Sequence, residues 1–322
     1  AAYGTEKPMD LMLITAVHQA TTMPPPDPWL AGHDISYYHL GHAGADVLAR
    51  LAHQQPSVAF NLVTASTGAA AAVAVAGLAV DLALLAGLRR RASRWAAGGV
   101  AIASLLLVAP LVGLASIAGA HGLARDAIGA LGVEGIPPSV GTEALVPDTF
   151  WWWWWTTRIL PGTITEYPAF TFLLGDTHAH LLGMPLAVLV LALAAQVFEG
   201  GHPLTWRGWL RDLPRLLLTA LLFAGVAMTN AWDVVMLGTI WGAAALLAAG
   251  RAGWKPPVSL ILVTRWGAIP AGVAVALAWP LLGRIDPPPA GLVLVTGEHS
   301  DPVRWLAFWL APALPLAAAL LL

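Results

Sequence analysis

Residues 58–88 read VAFNLVTASTGAAAAVAVAGLAVDLALLAGL and run directly into Arg89-Arg90-Arg91-Ala92-Ser93-Arg94. The apolar part holds a single charge, Asp81. It exceeds the ~20 residues that carry an α-helix across ~30 Å of hydrocarbon. A segment in that medium must satisfy its backbone polar groups internally, so it is read as a transmembrane helix. The arginines stop it and mark its cytoplasmic end by the positive-inside rule.

Six more apolar runs follow outward from it: Ala97–Gly119, Leu181–Phe198, Leu213–Met228, Val234–Ala249, Val258–Leu282 and Val303–Leu322. The fourth and fifth of the seven are short and are expected to form a hairpin around Thr229-Asn230-Ala231-Trp232-Asp233. Prolines inside the runs (Pro110, Pro185, Pro270, Pro312) are tolerated in membrane helices. The expected fold class is an all-α, polytopic transmembrane helix bundle with helical outward-facing loops. Composition agrees: of 322 residues 58% are hydrophobic and 11% charged, with a mean hydropathy of +0.71. A soluble domain carries about 25% charged residues. The absence of cysteine excludes disulfides and thiolate metal sites, and a net charge of −2 offers nothing to nucleic acid.

Arg207, Arg211 and Arg215, then Arg251 and Lys255, repeat the basic signature on the side of Arg89. Segments 1–57, 120–180, 229–233 and 283–302 then face outward, with two spans in 58–119 and five in 181–322. The expected location is the plasma membrane, multi-pass, with the lipid bilayer as partner and the loops of interest on the extracytoplasmic side. This orientation sorts the acids: of 18 Asp and Glu, all but Asp81, Glu199 and Asp212 fall outside or at the outer boundary. Longer outer loops explain part of that sorting but not its local clustering. The chain begins at Ala1 in a polar segment and ends in an apolar run. Together these predict a single transmembrane domain that is part of a longer protein, with a helix before residue 1 and more after residue 322.

Three clusters carry candidate chemistry. In Pro24-Pro25-Pro26-Asp27-Pro28-Trp29-Leu30-Ala31-Gly32-His33-Asp34-Ile35-Ser36-Tyr37-Tyr38-His39-Leu40-Gly41-His42, proline on both sides holds Asp27 on a rigid turn. His39 and His42 are neighbours if that segment is helical. The plainer reading is a capping Asp within an aromatic belt. In Glu166 through His180, the residues Asp176, His178 and His180 share one side of an extended segment and suit a divalent metal or acid–base chemistry. The plainer reading is a hydrogen-bonded loop. Met184-Pro185 is expected to open the helix that follows, since proline suits a first turn. In the third cluster Asn230 and Trp232 are placed to line a pocket, while Asp233 serves equally as a helix cap.

Five tryptophans, Trp151 to Trp155, precede the second cluster and mark a membrane boundary. On a helix five consecutive rings point all round, so belt and scaffold is the commoner use. Arg158 beside them suits a phosphate through a bidentate contact, or lies as a snorkelling interfacial cation.

Several motifs carry a family resemblance. They are Glu6-Lys7-Pro8-Met9-Asp10, Pro25-Pro26-Asp27-Pro28-Trp29-Leu30-Ala31-Gly32, Ile35-Ser36-Tyr37-Tyr38-His39, Glu166-Tyr167-Pro168, Gly175-Asp176-Thr177-His178-Ala179-His180 and Thr229-Asn230-Ala231-Trp232-Asp233. In that order the chain resembles the YYY membrane-protein family, large polytopic proteins with a domain of unknown function. The third tyrosine of the family's name is His39 here. The family in turn looks like type C glycosyltransferases, which use polyprenyl-phosphate sugars and carry an essential Asp in the first outward loop.

The resemblance implies an enzyme transferring a sugar from a polyprenyl-phosphate donor to an acceptor at the outer face. Asp27, Asp34 and Asp176 are its candidate catalytic acids. Arg158, Tyr37, Tyr38, Asn230, Trp232 and Asp233 are its candidate donor and phosphate contacts. Asp27, Glu166, Asp176, His178 and His180 are candidate ligands for a divalent metal, Mg or Mn. A metal-dependent lipid-phosphate hydrolase or phosphotransferase would use the same residues. A transporter or structural subunit is the third class, but a transporter binds near the bilayer midplane. Only Asp81 and Arg265 lie well within long spans, both toward the cytoplasmic end.

Overall fold

The computed structural model describes residues 6–108, 111–123, 153–160, 162–200, 203–284 and 301–310. Trp151, Trp152 and positions 311–322 of the last apolar run lie outside them. The chain divides into two compact units, Ala1–Gly99 with Gly175–Pro288, and Val100–Leu174 with Pro289–Leu322. Among the described residues every regular element is helical, and the only extended pairing is one bridge between Pro26 and Asp34.

The first unit contains α1 (Lys7–Gln19), α2 (Leu40–Leu51), α3 (Pro56–Leu85), the start of α4 (Arg91–Leu106), α7 (Ala179–Phe198), α8 (Trp206–Arg211), α9 (Leu213–Thr229), α10 (Ala231–Arg251) and α11 (Pro256–Leu282). Four of these, α3, α7, α10 and α11, are long and apolar enough to cross a membrane, and α9 is a shorter apolar helix. Val73, Leu221, Val235, Met236 and Ile261 point away from the bundle and are exposed. That is expected where lipid is the solvent, since hydrocarbon outside is as apolar as the side chain.

Helix directions follow from the contacts. Leu182 of α7 packs with Phe60 of α3, Ile14 of α1 and Ala45 of α2. Arg251, closing α10, donates to the Phe198 carbonyl at the end of α7 (3.2 Å). So α3, α7 and α10 run one way. Ala220 and Ala224 of α9 pack against Ala274 and Ala278 of α11, so α9 and α11 run the other way. One end of this unit therefore collects α1, α2, the N-termini of α3, α7 and α10, and the C-termini of α9 and α11. The opposite end collects Arg207, Arg211, Arg215, Arg251 and Lys255. It is closed by stacked Trp209, Trp266 and Trp241, with centroids 5.0 and 4.4 Å apart and Trp209 Nε1 donating to the Trp266 carbonyl (2.9 Å).

Three expected boundaries move. α7 opens at Ala179, so Pro185 lies inside it instead of opening it. A membrane helix tolerates the lost backbone bond because neighbouring helices and local adjustments satisfy the freed backbone groups. The hairpin's second helix is 21 residues long, and Asn230 alone breaks the chain between α9 and α10 (φ −155°, ψ 91°). The run Ala97–Gly119 is divided between α4 and α5 (Leu111–Ala120).

The second unit holds the rest of α4, α5, a 3₁₀ turn at Trp155–Thr157 and α6 (Pro168–Leu174). Trp153, Trp154 and Tyr167 surround Phe170 with centroids 5.3, 5.7 and 5.8 Å away. The Thr156 hydroxyl donates to the Trp153 carbonyl (2.6 Å) and is hydrogen-bonded to the Tyr167 hydroxyl (2.7 Å). Burial raises the Tyr167 pKa, and that shared bond partly offsets the rise. The described tryptophans are thus a folded scaffold with a polar spine.

Candidate functional site

The end of the first unit that gathers the N-termini of α3, α7 and α10 is the site end. Gly175 ends α6 with φ +73°, a conformation glycine adopts at no steric cost, and turns the chain into Asp176. Asp176 and Thr177 are fully buried, and His178 is the N-cap residue of α7. His178 Nε2 lies 3.6 Å from Asp176 Oδ2 and 3.2 Å from Glu6 Oε2. Lys7 Nζ stands 3.9 Å from Asp176 Oδ1. Side-chain exposure falls from 56% at Glu6 through 20% at Lys7 and 13% at His178 to zero at Asp176, so this acid has a charged path to the surface. His180 sits in the first turn of α7, its ring edge-on to His178 at 5.3 Å.

α1 and α2 bring a second pair to the same end. Asp10, in the first turn of α1, is 1% exposed, and His42 of α2 is fully buried. Their Oδ1 and Nε2 atoms are 3.5 Å apart. Gly41 permits this approach. A Cβ there would meet Leu182 Cβ at 2.8 Å and Thr229 Cγ2 at 3.1 Å, so only glycine lets α2 lie on α7 and α9. Tyr37 stands beside the same acids. Burial first, then the charges of Glu6 and Asp10, push its hydroxyl up to about 12. His39, the N-cap residue of α2, donates from Nδ1 to the Tyr37 carbonyl (3.0 Å), and burial lowers its pKa.

The other sequence candidates fall as follows. Asp27 is partly exposed and closes its own turn, its Oδ1 accepting from the amides of Trp29 (2.8 Å) and Leu30 (3.0 Å). Asp34 accepts from Arg284 (2.5 Å) just past α11 and ties the first loop to that helix. Tyr38 is partly buried with its ring 5.2 Å from Tyr37. Asn230 is buried and its side chain bonds the Asp233 carboxylate in the first turn of α10. Trp232 is 76% exposed, a membrane-belt position in place of a pocket wall. Glu166 and Arg158 belong to the second unit. There Glu166 accepts from the Thr171 hydroxyl (3.4 Å), and Arg158 lies over the Trp154 ring at 4.6 Å while donating to the Thr157 hydroxyl.

Sequence reasoning gave no role to Glu6, Lys7, Asp10 or His42. One signal was present: three ionisable residues around Pro8 at the head of an apolar helix, in Glu6-Lys7-Pro8-Met9-Asp10. Their partners lie more than thirty positions away in sequence, so spacing alone could not join them.

Helix N-termini carry partial positive charge and favour anions. Those of α3, α7 and α10 meet at the site end, and their N-cap residues Gln55, His178 and Asn230 make no side-chain cap bond. Buried acids, histidines, one lysine and helix N-termini are the materials for binding an anion and moving a proton.

A bundle of apolar helices with a polar, partly buried site at one end defines a multi-pass membrane protein. The match to the uncharacterized membrane protein family DUF2298 spans residues 1–322, and the chain belongs to that family. No curated protein and no solved structure matches it. Membership places the protein in the bilayer and names no reaction.

Proposed function

We propose that this protein is a membrane glycosyltransferase that moves a sugar from a polyprenyl-phosphate donor to an acceptor hydroxyl at its site end, on the extracytoplasmic side. The observation that carries the reading is the grouping of buried Asp176 with His178, Glu6 and Lys7 at the head of α7. Asp176 takes the acceptor's proton as its oxygen bonds the anomeric carbon. The bond from that carbon to the phosphate oxygen breaks, and its electron pair leaves with the lipid phosphate. The phosphate's charge is met by the Lys7 ammonium and the positive N-terminal end of α7. His178, lying between Asp176 and Glu6, passes the proton to Glu6 at the surface.

The test is transfer of radiolabelled sugar from a panel of polyprenyl-phosphate sugars to membrane acceptors, using purified full-length protein. Asp176→Asn should reduce transfer by about 10²–10⁴-fold with folding unchanged. Full activity in that variant would sink the reading. Release of free sugar or phosphate without any acceptor would replace it with a lipid-phosphate hydrolase.

A further inference from the structure

α1 and α2 are joined by two Asp–His rungs of opposite character. In one, His18 Nδ1 and Asp46 Oδ1 are 2.6 Å apart, Arg50 Nε donates to Asp46 Oδ2 (2.7 Å), and Arg50 Nη2 donates to the His18 carbonyl (2.5 Å). That rung is a complete hydrogen-bonded network. In the other, Asp10 and His42 are the more deeply buried, yet neither Asp10 oxygen and neither His42 nitrogen makes a hydrogen bond. Each unsatisfied buried polar group costs on the order of 1–3 kcal/mol, and more when charged. The same residue types on the same two helices show that a satisfied geometry was available.

The spacing points to what completes the second rung. A direct ion pair between these atoms sits at about 2.7–2.9 Å. Two ligands about 2.1 Å from one tetrahedral cation stand roughly 3.4 Å apart. Asp10 Oδ1 and His42 Nε2 are 3.5 Å apart. Imidazole nitrogen with carboxylate oxygen suits the first transition series better than magnesium, which takes oxygen. The neighbouring Asp176 differs, because the Lys7 ammonium already stands against it.

We propose that Asp10 and His42 together ligate a divalent transition-series cation, a site apart from Asp176 and His178. Its remaining positions are open to water or to an anionic group of a ligand.

The experiment uses metal-stripped full-length protein titrated with Mn²⁺ by calorimetry, with electron spin echo detection of ¹⁴N coupling to the bound ion. No sugar donor is added, so the outcome does not depend on the transfer reading. The expected result is one Mn²⁺ per chain with a histidine ¹⁴N coupling. His42→Gln should remove that coupling, and Asp10→Asn should weaken binding at least ~10-fold. His178→Gln and His18→Gln should change neither. If His42→Gln does not fold, Asp10→Asn carries the decision, provided its metal-free melting temperature matches the parent. No Mn²⁺ bound at millimolar concentration, parental affinity in a folded Asp10→Asn, coupling that survives His42→Gln, or coupling lost in His178→Gln would each overturn the proposal.

Discussion

The two ends of the first unit are built from the same helices and solve opposite problems. At the basic end most polar groups are closed or left in solvent, although Trp241 Nε1 is buried without a hydrogen-bond partner and the N-cap residue of α11, Lys255, makes no side-chain cap bond. Thr205 caps α8 through the Gly208 amide (3.2 Å), Asp212 caps α9 through the Arg215 amide (3.2 Å), and the ion pair of Arg251 with Glu199 is largely exposed. Apolar stacking of three tryptophans does the packing there. At the site end acidic and histidine groups are buried and incompletely satisfied: Asp10, His42 and Thr177 hold atoms without hydrogen bonds, and the N-cap residues of α3, α7 and α10 make no side-chain cap bond. The buried acid and histidine groups at the site end are the contrast on which the proposed transfer reaction and the proposed cation site rest. The cost of unsatisfied polar groups is tolerated where binding or chemistry recovers it.

Substitutions that exchange the properties of the two ends would break this contrast most directly. The largest effect is expected in activity. Asp176→Asn should lose about 10²–10⁴-fold in transfer, whereas Arg251→Ala at the basic end should keep parental rates in the same assay. Next is Gly41→Ala, whose new methyl meets Leu182 and Thr229. Overpacking of this kind costs about 1–3 kcal/mol, read as a lowered melting temperature in detergent. An unchanged melting temperature would show that α2 does not need its close seat on α7. Asp46→Ala should cost on the order of 1–2 kcal/mol by removing the acceptor of the complete rung. The loss is moderated because Arg50 and His18 reach solvent.

His39 adds a pH test. Its folded pKa is lowered by burial, so near pH 6.5 and below the unfolded chain binds more protons than the folded one. The contribution to stability is therefore present above about pH 6.5 and is lost as pH falls below it. Melting temperature should drop between pH 7.5 and 5.5, and His39→Gln should flatten that drop. The smallest effect belongs to the exposed Arg251–Glu199 pair, where Arg251→Ala should cost no more than ~1 kcal/mol, because solvent screens such pairs.

Helical class was legible because hydrocarbon permits little else: a run such as Val58–Leu88 has no partner for its backbone but itself. Asp176 and His178 were legible as a pair because a single residue, Thr177, separates them, a local geometry. Asp27 shows how far local reasoning reaches. Its flanking prolines marked a rigid turn correctly, but the rigid turn uses the carboxylate to bind its own amides. Pro185 shows the limit at element level, since a residue that suits a first turn is also carried inside a membrane helix.

Composition and apolar periodicity alone therefore determined that this chain is a multi-pass helical membrane protein, together with the basic character of one set of loops and the neighbourhood of Asp176. Those follow from solvent and from contacts within a few residues. Only the tertiary structure decided that Lys7 meets Asp176, that Glu6 meets His178, and that Asp10 meets His42. Each pair joins segments more than thirty residues apart, and whether two helices bring them together rests on packing details as small as the missing side chain of Gly41.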